Sequence, residues 1–427
     1  MRDALATWHM GRVIFAYRTH SFHGRPLPQE QIANWLSLTQ AQLSRIEKGP
    51  APEQLSKLVR WAEILGIPEE QLWFRLPVDV DNTPVVAKST AHTGDHALQL
   101  ARWLSTDGTG PMPLLDDTDT VERVGTALAD ARRYFDGTVV EFFREQLISC
   151  KADDGQRGPA EALPLMLALL GAIKRHGRDL KPETRRELLV VGADGAEFGG
   201  WLYRDLHDPL TATFLYDRAM EWAQEARNLP LQGYVLLKKS QMAYDSKDAG
   251  TVLSLAQAAK HGPWQLPLRI RAEVVQQEAL GVAMIGEPTS VVEQHLSEAQ
   301  HLLTQAGQDD GLLGTYFNQG TLLVRSAACY TEAGKPVKAT QLFGTVLAGG
   351  SLSRRDAGFF SARQAKAFAL SGEPDEAATI ATEAVGIARE TRSERTMNVI
   401  IEVVHALDPW RNRASVRALH EVLAPAR

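Results

Sequence analysis

Phe360–Arg389 reads FSARQAKAFALSGEPDEAATIATEAVGIAR, and its spacing sets the architecture of the chain. Ala365 and Phe368 fall on one helical face. Gly372-Glu373 breaks the period, and Ala377 and Ala384 resume it in a second helix. Small residues let two helices approach, and an aromatic side chain fills the hole one helix away. The arrangement recurs at Gly200, Tyr203, Ala212, Tyr216 and Ala219, and again at Ala327, Tyr330, Gly334, Ala339 and Phe343. Turns at His207-Asp208, Lys247-Asp248, Gly286-Glu287, Gly334-Lys335 and Gly372-Glu373 stand 38 to 48 residues apart. A helix pair repeated at such a period cannot bury its apolar face alone, so it stacks on its neighbours.

These units resemble the tetratricopeptide repeat, closely for three of them and loosely around Lys247 and Gly286. Outward from them the pattern stays helical from Thr120 to the end, with expected helices over 121–135, 138–151, 159–176 and 182–197. Period-two alternation is missing, so no sheet is expected. The expected fold is all-α, with an α-solenoid of tetratricopeptide-like helix pairs over 120–427. The tail, broken at Asp408-Pro409, presents Val403, Leu407, Trp410, Val416 and Leu419 either to cap the last repeat or to carry a dimer contact. Before the solenoid, 78–119 is rich in Gly, Pro, Thr and Asp and reads as a linker holding one short helix near His96–Leu104. His92 and His96 lie four apart but lack a third ligand, so no metal is expected.

The N-terminal segment 1–77 has its own signature, Gln29–Gly49, QEQIANWLSLTQAQLSRIEKG. Ile32, Ala33 and Leu36 form one apolar stripe, and Leu43 and Ile46 another. Thr39 is placed to cap the second helix and Gly49 to end it. Gln40, Ala41, Ser44 and Arg45 fall opposite the apolar stripe. This stretch resembles the helix-turn-helix of the Xre/phage-repressor family, with small Ala33, apolar Leu43 and Ile46, and the SRIEKG ending in register. Ser37 stands where the family usually has Gly. Helices over Ala4–Tyr17, Pro52–Gly66 and Pro68–Leu76 would complete a five-helix domain. The loop Thr19–Pro28, with His20, His23 and Arg25, is either a phosphate contact or plain solvated surface.

The resemblance implies DNA contacts by Gln29, Thr39, Gln40, Ala41, Ser44 and Arg45. Gln29 would donate to a phosphate and Thr39 would position the recognition helix. Gln40 and Arg45 would read base edges, Gln favouring adenine and Arg guanine. Arg45 serving a phosphate, or pairing with Glu47, stays open. A repressor-like head on helical repeats also resembles the peptide-sensing regulators of Gram-positive bacteria. It resembles still more the long regulators of Streptomyces and related actinobacteria, which have relatives of GWLYRD, LYDRAMEWAQEA and LKKSQMA. That resemblance implies a cytoplasmic homodimer on an operator in double-stranded DNA, with a peptide or small-molecule signal in the solenoid groove. Polar residues on the first helices supply the expected ligand contacts: Tyr234, Lys238, Gln241, Gln276, Gln277, Asn318 and Arg325. The alternative is an interaction scaffold whose repeats recruit a protein without any small ligand.

Composition agrees with this frame. The 427 residues are 44% apolar with a net charge of −6. Segment 1–77 carries a net +2 and the remainder −8, so the expected DNA-contacting end is the less repulsive one. No apolar run approaches a membrane span, and no signal-peptide pattern opens the chain. Cys150 and Cys329 are far apart, which suits a reducing compartment. No Walker loop, His-Glu-x-x-His or Gly-x-Ser-x-Gly occurs. Gly199-Gly200 is better read as close helix packing, and Asp116, Asp117 and Asp119 as solvated linker. No enzyme activity and no cofactor are expected.

Overall fold

The computed structural model describes residues 9–20, 26–36, 38–49, 92–109, 118–307, 313–350 and 352–424, together with Thr7, Pro52, Lys57, Leu58, Trp61, Ala62, Leu65 and Ile67. The expected helix at Pro68–Leu76, most of the one at Pro52–Gly66, the turn residue Ser37 and residues 21–25 of the Thr19–Pro28 loop lie outside them. The chain divides into two compact units, 1–89 and 90–427. Every regular element among the described residues is a helix.

In the first unit, α1 (Met10–Arg18), α2 (Gln29–Trp35) and α3 (Gln40–Lys48) are held by one apolar core. Met10, Val13 and Ile14 meet Ile32, Ala33 and Leu36, with Leu43 from α3 and Leu58, Trp61 and Ala62 beyond them. Ile46 packs at its edge. Thr39 caps α3: its Oγ1 accepts from the Gln42 N–H, and the Gln42 side chain accepts from the Thr39 N–H at 2.8 Å. That reciprocal pair satisfies two end donors, because a helix start leaves its first amides without partners.

The second unit opens with α4 (His92–Ser105), α5 (Thr118–Ala129), α6 (Ala131–Tyr134), α7 (Gly137–Arg157) and α8 (Pro159–His176). The helix expected near His96–Leu104 is α4, which starts at His92 and falls in this compact unit. Leu100, Trp103 and Leu104 make a buried face that packs on α8. Arg175 fastens it by donating to the Leu104 carbonyl at 2.8 Å. The apolar triplet, not the surrounding Gly/Pro content, decides the placement.

Six helix pairs follow. They are α9 (Pro182–Asp205) with α10 (Pro209–Glu225), α11 (Leu229–Asp245) with α12 (Ala249–His261), and α13 (Leu268–Met284) with α14 (Thr289–Gln305). Then come α15 (Gln319–Glu332) with α16 (Pro336–Ala348), α17 (Arg354–Leu370) with α18 (Pro374–Glu390), and α19 (Glu394–Ala406) with α20 (Ala414–Leu423). Each of the five turns expected from sequence puts its first residue in the left-handed region. His207 and Lys247 have φ 58°, and Gly286, Gly334 and Gly372 have φ 83°, 70° and 82°. The second residue of the pair then caps or precedes the next helix; Asp208 and Asp248 accept from Thr211 and Thr251. Between pairs, Arg227 and Arg392 repeat this geometry, with φ 56° and 51°. At Gly200, a Cβ would come within 2.8 Å of the Tyr216 ring. The glycine is what lets α10 close on α9.

Successive pairs stack until the array turns back on itself. α17 packs against α7 and α19 against α9. The closure is polar as well as apolar. Arg355 pairs with Asp154, and Ser393 Oγ donates to Asp205 at 3.0 Å. No helix among the described residues is long and apolar enough to cross a membrane.

Candidate functional site

Two places in the molecule arrange polar side chains beyond what packing requires. The first is the outer face of α3. Leu43 is fully buried, while Gln40, Ala41 and Arg45 are exposed and Ser44 is half-buried. Arg45 Nε rests on the Ala41 carbonyl at 3.3 Å. It does not pair with Glu47, because other donors hold that carboxylate. Arg18 donates from Nε at 2.7 Å and from Nη2 at 3.1 Å, and Gln29 Nε2 donates at 2.7 Å. The Glu47 side chain is only 2% exposed. Gln29, expected at a DNA phosphate, places its side-chain amide on Glu47 here, since a buried carboxylate demands a full set of donors. Glu47 thus ties α1, α2 and α3 together beneath the exposed face.

The second place is a central cavity of about 720 Å³ inside the repeat unit. Its walls come from the first helix of each pair, from α7 and from the segments leading into those helices; the second helices form the outside. Six of the seven residues expected to touch a ligand, Tyr234, Lys238, Gln241, Gln276, Gln277 and Arg325, line it. Asn318 does not. Its side chain accepts from the Thr321 N–H at 3.0 Å and caps α15.

Behind one wall a fully buried carboxylate, Glu273, gathers donors. Tyr316 Oη donates to it at 2.6 Å, Gln241 Nε2 at 2.8 Å and Arg325 Nη1 at 2.8 Å. Lys238 Nζ donates to the same Tyr316 oxygen at 3.0 Å and stands 3.6 Å from Glu197. Burial pushes the Glu197 carboxyl above its usual value, against the opposing pull of Lys238 and Lys151. Burial likewise draws Lys238 below the usual lysine range despite Glu197 and Glu273. Glu197 Oε1 and Gln276 Oε1 are buried and accept no hydrogen bond. Elsewhere on the lining, arginines lie against aromatic rings: Arg355 is 4.8 Å from the Trp201 ring centre and Arg363 is 4.5 Å from that of Tyr244. A cavity of this size, mixing apolar wall with convergent polar groups, is built like a small-ligand site.

No family model and no curated protein matches the sequence. Among solved structures the chain is similar to a Rap protein complexed with competence and sporulation factor, at 14% identity and a TM-score of 0.44. That match covers 77% of this chain and 89% of the other.

Several cavity residues escaped the sequence reading: Trp201, Arg204, Tyr316, Arg355, Arg363 and Arg395. A signal for some of them was present. Glu197, Trp201 and Arg204 follow the same four-then-three spacing as Tyr234, Lys238 and Gln241, and Arg355, Phe359 and Arg363 follow a four-four spacing. Each set marks one stripe of a first helix. Tyr316 carries no such signal, because it sits in the irregular segment before α15. Among the described residues no group of three or more His, Cys, Asp or Glu is placed to hold a metal ion.

Proposed function

We propose that this chain is a sequence-specific DNA-binding transcription regulator whose helical-repeat unit is the receptor for a small signal, a peptide or another small molecule. The observation that carries the reading is the two-sided character of α3. One side is sealed by Leu43, the helix start is fixed by Thr39 and Gln42, and Gln40, Ala41 and Arg45 are exposed on the other side. A short, capped helix with exposed amide and guanidinium groups suits the major groove, where Gln and Arg find bidentate partners on adenine and guanine. In this reading Gln29 acts from within, by bracing Glu47 and hence the helix. The receptor role rests on the cavity. Closure of the repeat array leaves room for a small ligand rather than for a long protein segment, which favours a receptor over a recruiting scaffold. A homodimer on two half-sites about one helical turn apart is the expected arrangement on DNA.

Genome-wide DNA capture with the full chain tests the first half. It should return a short operator with a repeated half-site. On that operator Arg45→Ala should lose about 1–3 kcal/mol of binding and Gln40→Ala a similar amount, with little change on unrelated DNA. Equal losses on both would defeat base reading by these residues, and the absence of any enriched sequence would defeat the DNA-binding role.

A further inference from the structure

Four arginines, Arg204, Arg355, Arg363 and Arg395, meet around two aromatic rings on one side of the central cavity. The guanidinium carbons of Arg204, Arg355 and Arg395 lie 5.4, 4.8 and 5.1 Å from the Trp201 ring centre. Those of Arg363 and Arg395 lie 5.2 and 3.7 Å from the Phe359 ring centre. The carboxylates in close contact are fewer. Asp154 serves Arg355, which also has Asp356 at 3.6 Å, and Asp245 is shared by Arg204 and, at 3.3 Å, Arg395; Arg204 donates further to the Gln241 carbonyl at 2.6 Å. Arg363 donates instead to the Tyr244 hydroxyl at 2.6 Å. The Nε groups of Arg355 and Arg363 are buried with no acceptor, although both residues are over nine-tenths buried.

A buried guanidinium keeps its charge only when acceptors surround it, and an unmet N–H inside a protein is costly. Here four guanidinium groups share three carboxylates in ion-pair contact, Asp154, Asp245 and Asp356. Burial and the neighbouring Arg204 hold Arg395 down to about 10, even with Asp245 and Asp205 nearby. An anion entering this side of the cavity would meet the guanidinium groups that line it. The planar guanidinium fork matches a carboxylate or phosphate by paired N–H bonds.

Resting on the receptor reading above, we infer that the arginine wall built by Arg355, Arg363 and Arg395 binds the oxyanion of the ligand, a carboxylate or a phosphate, and so selects for anionic signals. The probes are benzoate, phenyl phosphate and the neutral isostere benzamide, titrated calorimetrically into the full chain, with thermal unfolding in parallel. Binding of benzoate or phenyl phosphate, at least tenfold tighter than benzamide and with a raised Tm, is expected. The stronger of the two identifies the oxyanion as carboxylate or phosphate. Arg363→Gln and Arg395→Gln should each weaken that binding tenfold or more. Arg363→Lys, which keeps charge but not the fork, should recover only part of it. Lys151→Gln, on a side chain already held by Asp194 at 2.7 Å, should change it little. If Arg363→Gln fails to fold, the Arg363→Lys and Arg395→Gln titrations decide. Equal binding of benzamide, no binding of either anion, or undiminished binding by the arginine variants would overturn the inference. Operator affinity, measured separately without probes, reports on the DNA-binding role and stands or falls independently.

Discussion

Two buried glutamates show how differently one side chain behaves with and without enough donors. Glu47 receives three N–H bonds from Arg18 and Gln29, and it joins three helices. Glu47→Ala would leave Arg18 without its carboxylate, a loss of roughly 3 kcal/mol for a buried pair. Hydrogen exchange of the α1–α3 amides should accelerate by about two orders of magnitude, with the repeat unit unaffected. Protection unchanged within a factor of a few would mean that packing alone holds the bundle. Glu197 is the opposite case. Burial raises its pKa in the folded chain, so the native state holds a proton that the unfolded state releases. Its contribution to stability is therefore lost as pH climbs from the ordinary glutamate range through the raised folded value. Glu197→Gln, uncharged and of the same shape, should be at least as stable as the parent near pH 7, and the advantage should vanish below about pH 4. Parallel denaturant titrations across that range would show it. An advantage that grew instead on acidification would show that Lys238 stabilises the charged form.

At the scale of elements, the turn between paired helices is the recurring device. Its first residue takes a left-handed backbone whether it is His207, Lys247 or a glycine. At Gly372 an added Cβ would meet nothing within 4 Å, so a substitution there probes the backbone alone. Gly372→Ala should cost about 1 kcal/mol, while Gly286→Ala, also open, should cost the same. His207→Gly should be neutral to slightly stabilising, since relief of strain opposes a freer unfolded chain. Calorimetric unfolding of the three variants checks this ordering. This device also explains what was readable beforehand. Glycine and acidic residues after an apolar period announce a turn, so five turns were visible; Arg227 and Arg392 adopt the same geometry without announcing it. The α3 face was readable because Thr39, Leu43 and Arg45 obey local rules of capping and periodicity. Glu47 was not, because its donors come from residues 29 and 18 positions away. The packing of helix α4 was not readable for a related reason: Leu100, Trp103 and Leu104 find their partner, α8, only after the chain has folded back.

The whole repeat unit depends on a contact that spans some two hundred residues. Six of the polar cavity residues were legible helix by helix, but that they face one another follows only from closure of the array. Asp154 on α7 and Arg355 on α17 make the buried ion pair at the junction, their side chains 3% and 8% exposed. Trp201 joins them, its Nε1 donating to Asp154 at 3.3 Å beneath the Arg355 guanidinium. A pair so placed gives little net stability relative to a well-packed apolar pair, yet removing one member strands the other in a dry site. Asp154→Ala and Arg355→Ala should each cost about 3–5 kcal/mol, whereas Asp154→Leu combined with Arg355→Met should cost much less than the sum of the single changes. Because closure holds α17 on α7, either single variant should also show a larger radius of gyration in small-angle scattering, and the apolar double variant should return toward the parent value. Should both single variants stay as compact and as stable as the parent, to within about 1 kcal/mol, then apolar packing of α7 on α17 and α9 on α19 would close the ring unaided, and access to the arginine wall would not be governed by this pair.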